Sequence, residues 1–193
     1  MIFEKAFKRQ RRYNKVFIIM MVFLAIFLPS ITYLAYIGNL TMLIFLSIIE
    51  VLIFIVIIMK FNSCNLKFYY KNNILKLKSG IFSAYTYIQC DKVLLVHTDR
   101  NNDEIEIIII TSRKNKKTKV ITRKFKNKYR DIEDEYMRLK RINKNTIYYF
   151  QIIKYGELKK YMLLDNIYKS CVNAIYTEAA IENIKIARGQ KEI

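Results

Sequence analysis

The chain has 193 residues, is 53% hydrophobic, and carries a formal charge of +18 from 34 Lys and Arg against 16 Asp and Glu. Such apolar content and such charge conflict in an ordinary soluble domain and agree when the apolar residues are gathered into membrane spans. Four Gly and one Pro argue against a collagen-like tract or disordered linker, and three scattered cysteines (Cys64, Cys90, Cys171) with one histidine (His97) argue against a zinc site or a disulfide framework.

A basic segment, residues 1–15, opens the chain with Lys5, Lys8, Arg9, Arg11, Arg12 and Lys15. Two apolar stretches follow, Val16 to Ile37 without a charge and Leu40 to Met59 with one. Each meets the length of about 20 helical residues that a hydrocarbon core requires, and a backbone in lipid must bond internally, so residues 16–59 are expected to form a transmembrane helical hairpin. The first stretch is longer than a signal-peptide core and a second follows at once, which fits an uncleaved anchor. Positive charge flanks both outer ends and is missing from the tip "YIGNLT". The positive-inside rule then puts both termini in the cytoplasm, in an inner or plasma membrane protein with two spans.

Glu50 lies near the middle of the second stretch. A carboxylate there costs roughly 3 kcal/mol on insertion scales, which about fifteen Leu, Ile, Val and Phe offset. Three readings stand: a contact between helices, a tolerated polar residue bonded to Ser30, Thr32 or Ser47, or a proton-linked site.

From residue 64 the pattern turns to strands. "NLKFYYK", Asn72-Asn73 and "ILKLKSG" read as a hairpin. "AYTYIQ", "KVLLVHT", "EIEIIIITS" and "TKVITRKF" read as four more strands. Phe125, Tyr129, Ile132, Tyr136 and Leu139 then recur at helical spacing, which predicts one amphipathic helix.

The stretch Phe68 to Val96 resembles the bacterial pleckstrin-homology-like family, in its form with two membrane spans ahead of the domain. The resemblance rests on Tyr69 or Tyr70 before the turn, Leu75 and Leu77, Ser79-Gly80, Ile81-Phe82, Ile88 and Lys92-Val93. It implies an α+β membrane protein whose residues 64–143 form a pleckstrin-homology-like antiparallel sheet or partial barrel with a capping helix. It also implies binding or assembly roles without catalysis and without a cofactor. Six strands are read there, where the full fold has seven.

Residues 144–193 depart from that family and form a C-terminal helical extension. "TIYYFQII" reads as a strand or extended segment. One long helix or two shorter ones follow, with a stripe of Leu164, Tyr168, Cys171 and Ile175 continued near Ile181 and Ile184. Thr177 is placed to cap a second helix and Gly189 to end it.

Residues 113–130 hold ten Lys or Arg and no acid. Lys114, Lys116, Lys117, Lys119 and Arg123 are the candidate contacts to anionic lipid headgroups or to an acidic partner. Nucleic acid ranks lower, because Phe125 and Tyr129 are the only aromatics in the run and both fit a buried stripe. A richness in Lys, Asn and Ile also suits an AT-rich bacterial genome. No P-loop, nucleophile elbow, HExxH or GxGxxG motif is present. The function expected is therefore a membrane-anchored binding or scaffold protein, associated with the bilayer and with itself as a homo-oligomer or with other membrane proteins. The alternatives are a structural subunit of a conjugation or secretion machine and a small transport accessory using Glu50.

Overall fold

The computed structural model describes residues 2–34, 40–101, 104–142 and 146–191. It is an α+β protein in which two long apolar helices, α1 (Ile2–Leu34) and α2 (Leu40–Cys64), precede a body of antiparallel sheets. Residues 36–39 of the expected hairpin tip lie outside the described residues. Both helices are long and apolar enough to cross a membrane, and neither apolar window is covered by the rest of the protein.

At 1.5 Å per residue the 33 residues of α1 reach about 50 Å, against about 30 Å for a bilayer core. The surplus is the basic segment. Expected to stand apart from the spans, it instead forms the first turns of α1. Phe3, Phe7, Gln10, Asn14, Phe17, Met21, Ala25 and Leu28 recur every three or four residues and form the less exposed side of the helix. On α2 the matching line is Leu46, Ile49, Glu50, Ile53, Ile57, Lys60 and Cys64. Asn14 meets Cys64, so the two helices run antiparallel.

Strands β1 (Leu66–Lys71), β2 (Ile74–Ser79) and β3 (Thr86–Gln89) form a three-stranded antiparallel sheet in that order. The β1–β2 link is Asn72-Asn73, both left-handed at φ 49 and 61, as a two-residue hairpin of right-handed twist requires. A second sheet runs β6 (Lys119–Val120), β7 (Tyr149–Ile153), β5 (Glu104–Thr111), β4 (Val93–Asn101), β8 (Ile175–Tyr176). All its pairs are antiparallel except β4 with β8.

Strand β5 explains its own sequence. Ile105, Ile107 and Ile109 pack into one core with Leu75, Leu77, Leu163 and Leu164. Ile108 and Ile110 pack into a second core with Phe125, Tyr129 and Ile132. A strand covered on both faces needs a near-continuous apolar run instead of alternation.

The helix expected over residues 125–139 is divided. Helix α3 (Arg123–Lys128) ends at Tyr129, where φ is −118 and ψ 70, and a 3-10 turn (Arg130–Ile132) leads into α4 (Glu133–Ile142). All five residues of the apolar stripe are nevertheless buried. The break lets the Tyr129 hydroxyl donate to Glu106 on β5 at 3.1 Å while Phe125 keeps its ring 4.0 Å from that of Phe150.

Residues beyond 143 belong to the same body. Strand β7 lies between β5 and β6, and α5 (Lys159–Ser170) gives Leu163, Leu164 and Ile167 to the main core. Two helices form here. Helix α5 stops before Cys171, so the helical period does not carry past it, and Tyr168, Ile175 and Ile181 of the expected stripe are exposed. Helix α6 (Glu178–Ala187) is capped by Thr177, whose side chain accepts from Ala180 N–H. It ends at Gly189, with φ 71, where Gly189 N–H donates to Ile186 and Gln190 N–H to Lys185. That pair of bonds is a Schellman ending.

Gly156, at φ 130, lies so close to Leu66 that a Cβ would fall 2.5 Å from Cδ2 of that residue. Gly156→Ala is expected to lower stability by about 1–3 kcal/mol through overpacking and an unsuitable backbone angle. Thermal unfolding of the detergent-solubilised chain, followed by near-ultraviolet circular dichroism, measures this.

Candidate functional site at the junction of helices and body

The helices meet the body through the turn between β7 and α5. Glu157 sits there in a left-handed conformation, φ 45, with 8% of its surface exposed. Its Oε1 accepts from Lys60 Nζ at 2.8 Å and from Cys64 Sγ at 3.4 Å. Its Oε2 accepts from Asn14 Nδ2 at 2.5 Å. One carboxylate therefore takes donors from both apolar helices.

Backbone bonds surround this clasp. Gly156 N–H donates to Ser63 C=O at 2.8 Å, and Leu158 N–H donates to the Gln10 side chain at 3.3 Å. The turn after β2 is held in the same way, with Gly80 N–H donating to Asn65 C=O and Ile81 N–H to Asn62 Oδ1. Gly80, at φ 89, is required here, because a Cβ would stand 2.6 Å from Asn62 Oδ1. Farther along α1, Phe3 packs edge-on against Tyr161, with ring centroids 5.8 Å apart.

Burial works against ionisation of Glu157. The hydrogen bonds from Lys60 and Asn14 and the charge of Lys60 outweigh it and hold the carboxyl below its ordinary pKa. Next to the clasp, Lys160 is 1% exposed and is satisfied by Glu104 Oε2 at 2.7 Å and Lys154 C=O at 2.8 Å.

Two cavities border the junction. One of about 500 Å³ opens between α1, the end of α2 and α5. Another of about 430 Å³ lies between the start of α1 and α5. Phe7 and Met162 line both.

The residues singled out from sequence fall elsewhere. Glu50 is half-buried on the α2 line that faces α1. Ser30 and Ser47 are exposed, and their hydroxyls donate to Ile26 and Leu43 of their own helices at 2.9 Å. Among the described residues no hydrogen bond joins either serine to Glu50, and the Thr32 side chain lies outside those described. Lys114, Lys116, Lys119 and Arg123 are exposed, whereas Lys117 is half-buried. Burial and the nearby charge of Lys78 push the Lys117 pKa down. The loop carrying these lysines is tied to β3 by Asn115 Nδ2 donating to Tyr87 C=O and by Arg113 donating to the Gln89 side chain at 2.6 Å.

Strand pairing places that loop at the far end of the second sheet. Ile107 pairs with Ile153, close to the Glu157 turn, while Thr111 pairs with Tyr149. Four residues at about 3.3 Å each put the start of the loop about 13 Å farther from the junction along the strand.

Three other reactive side chains lie buried inside the body. Cys90 and Cys171 are buried free thiols with sulfurs 2.6 Å apart, and His97 Nδ1 lies 3.0 Å from Thr177 Oγ1. Burial keeps His97 below its ordinary pKa. Among the described residues no group of three or more His, Cys, Asp or Glu is arranged to hold a metal ion. Sequence reasoning missed Glu157, and only the Gly156-Glu157 pair after a strand hinted at a special turn. No family model matches the chain, and no curated protein or solved structure matches it.

Glu157→Leu strands Lys60, which keeps 25% exposure, so the expected loss is about 1–3 kcal/mol, below that of a fully buried pair. Glu157→Gln is expected to lose less, since an amide oxygen still accepts from Lys60. The folded pKa of Glu157 lies below the ordinary 4.5. Its contribution is therefore full above that ordinary value and is lost as pH falls through the lower folded value. Thermal unfolding against pH should show an acid-side decline in the wild type that is reduced in Glu157→Gln.

Proposed function

We propose that the chain is a membrane-anchored binding or scaffold protein with a cytoplasmic body, and that it has no catalytic role. The observation that carries this reading is the pair of uncovered apolar helices joined without a linker to the body. Uncovered surface of that size needs a lipid surround. The flanking Lys and Arg of α1 support an orientation with both ends in the cytoplasm.

The body is proposed to be of the pleckstrin-homology-like kind. The β1–β2 hairpin, the antiparallel sheets and the amphipathic α3–α4 segment support it. The position of β7 between β5 and β6 is a departure from the arrangement that the resemblance implied.

The basic loop is proposed as a contact for a negative partner. Its place at the end of the second sheet away from the junction favours an acidic protein surface over the chain's own leaflet. Lys114, Lys116, Lys119 and Arg123 supply the exposed charge, and Lys76 and Lys78 on β2 extend it. Such contacts are screened and fade as the Debye length shrinks with salt.

A reporter active only outside the membrane should work at Asn39 and fail at Asn73 and at the C-terminus. Activity at the C-terminus would refute the cytoplasmic body. For the basic loop, the full chain in nanodiscs should bind poly-glutamate at low salt and lose that binding when Lys114, Lys116, Lys117 and Lys119 become Gln. The full chain is needed because a fragment from Asn65 onward would lack Phe3, Asn14 and Lys60 of the junction.

A further inference from the structure

The cavity of about 500 Å³ at the junction changes character along its length. On α1 its lining passes from Arg11 and Lys15 to Ile18, residues at i, i+4 and i+7 on one side of a helix. Phe61 of α2 stands with Ile18 in the apolar part, and Lys159 of α5 joins the cationic part. The step from charge to hydrocarbon falls where α1 passes from its basic segment into its apolar stretch, which is headgroup level in a membrane.

The positive charge at this level is not matched by the protein. Glu157 is the one acid in the lining, and it is already engaged by Lys60 and Asn14. Among the described residues Arg11, Lys15, Lys67 and Lys159 form no ion pair. Burial, then the charges of Lys67 and Arg11, push the Lys159 pKa down. Lys67 and Arg11 thus repel Lys159, itself partly desolvated, a cost that an anion beside Lys159 removes.

We propose that this cleft holds one anionic glycerophospholipid, with its phosphate between Arg11, Lys15 and Lys159 and its acyl chains leaving past Ile18 and Phe61 into the bilayer. The proposal rests on the membrane reading above. The volume suits a headgroup and glycerol, not two whole chains, so the chains stay in the membrane and the lipid enters sideways. A lipid here bridges α1, α2 and α5 and would complete the junction that the Glu157 clasp begins. Basic pockets on the cytoplasmic side of membrane helices are suited to such headgroups.

The test uses the full chain. Membranes are first washed with alkaline carbonate, and the protein is then purified in mild detergent with equal phosphatidylglycerol and phosphatidylcholine. Native mass spectrometry reads the lipid retained. The expected result is a membrane-retained protein carrying one phosphatidylglycerol per chain and little phosphatidylcholine. Arg11→Gln with Lys159→Gln should lower retention at least about tenfold, whereas Lys140→Gln on α4 should leave it unchanged. Equal retention of both lipids by the wild type overturns the proposal, and this reading stands even if the double variant does not fold. Unchanged retention in a folded double variant also overturns it. Displacement of the lipid by millimolar inorganic phosphate would assign the site to a soluble phosphate instead. Release of the protein by carbonate would sink the membrane reading itself, while a membrane-retained protein without lipid selectivity would sink the lipid site alone.

Discussion

The carboxylate of Glu157 is the constraint on which the rest of the structure depends. A buried charge must be paired, and here the partners come from α1 and α2, 143 and 97 positions earlier in the chain. The left-handed turn at Gly156-Glu157 delivers the carboxylate to both helices, and Leu66 packs against that turn where Gly156 leaves no room for a side chain. The helix pair and the body are thereby one unit. A tilt or rotation of α1 against α2 would move Asn14 away from Lys60 and would be felt at the start of α5.

The helix pair and the body are joined without a linker. Residue Cys64 ends α2 and Leu66 begins β1, so one residue separates helix from sheet. The basic segment of α1 then runs past the end of α2 and covers Tyr161 with Phe3, burying apolar area worth about 1.5–3 kcal/mol for a phenylalanine. The short link leaves the body little freedom to swing against the helix pair. The charge on that segment, which in sequence looked like an orientation signal alone, also lines the cleft beside the clasp.

The covering of the second sheet decides which sheet surface stays exposed. Both its faces are covered, one by the first sheet with α5 and α6 and the other by α3 and α4. What remains exposed is the outer side of the first sheet, with Tyr69, Tyr85 and Tyr87, and the basic loop tied to its β3 edge. Lys76 lies 4.4 Å from the Tyr85 ring centroid and 5.4 Å from that of Tyr87, so these two rings already face a cation of the chain itself.

The sequence by itself determined the elements whose signal is local. Two apolar runs of membrane length form helices over their described residues because most of their residues are apolar and the signal needs no distant partner. Asn72-Asn73 formed the hairpin because both tolerate positive φ, and Thr177 and Gly189 bounded α6 because capping depends on residues a few positions apart. Tertiary structure decided what depends on distant partners. Glu157 looked like any loop acid until Lys60 and Asn14 stood beside it. The stripe through Tyr129 is legible as buried, but its break is not, since Tyr129 there donates to Glu106 on another element. Residues 149–153 are legible as a strand or extended segment, but their place between β5 and β6 is not, because it depends on partners far away in the chain. Arg11 and Lys159 are 148 residues apart, and nothing short of the folded chain could have shown them lining one cleft.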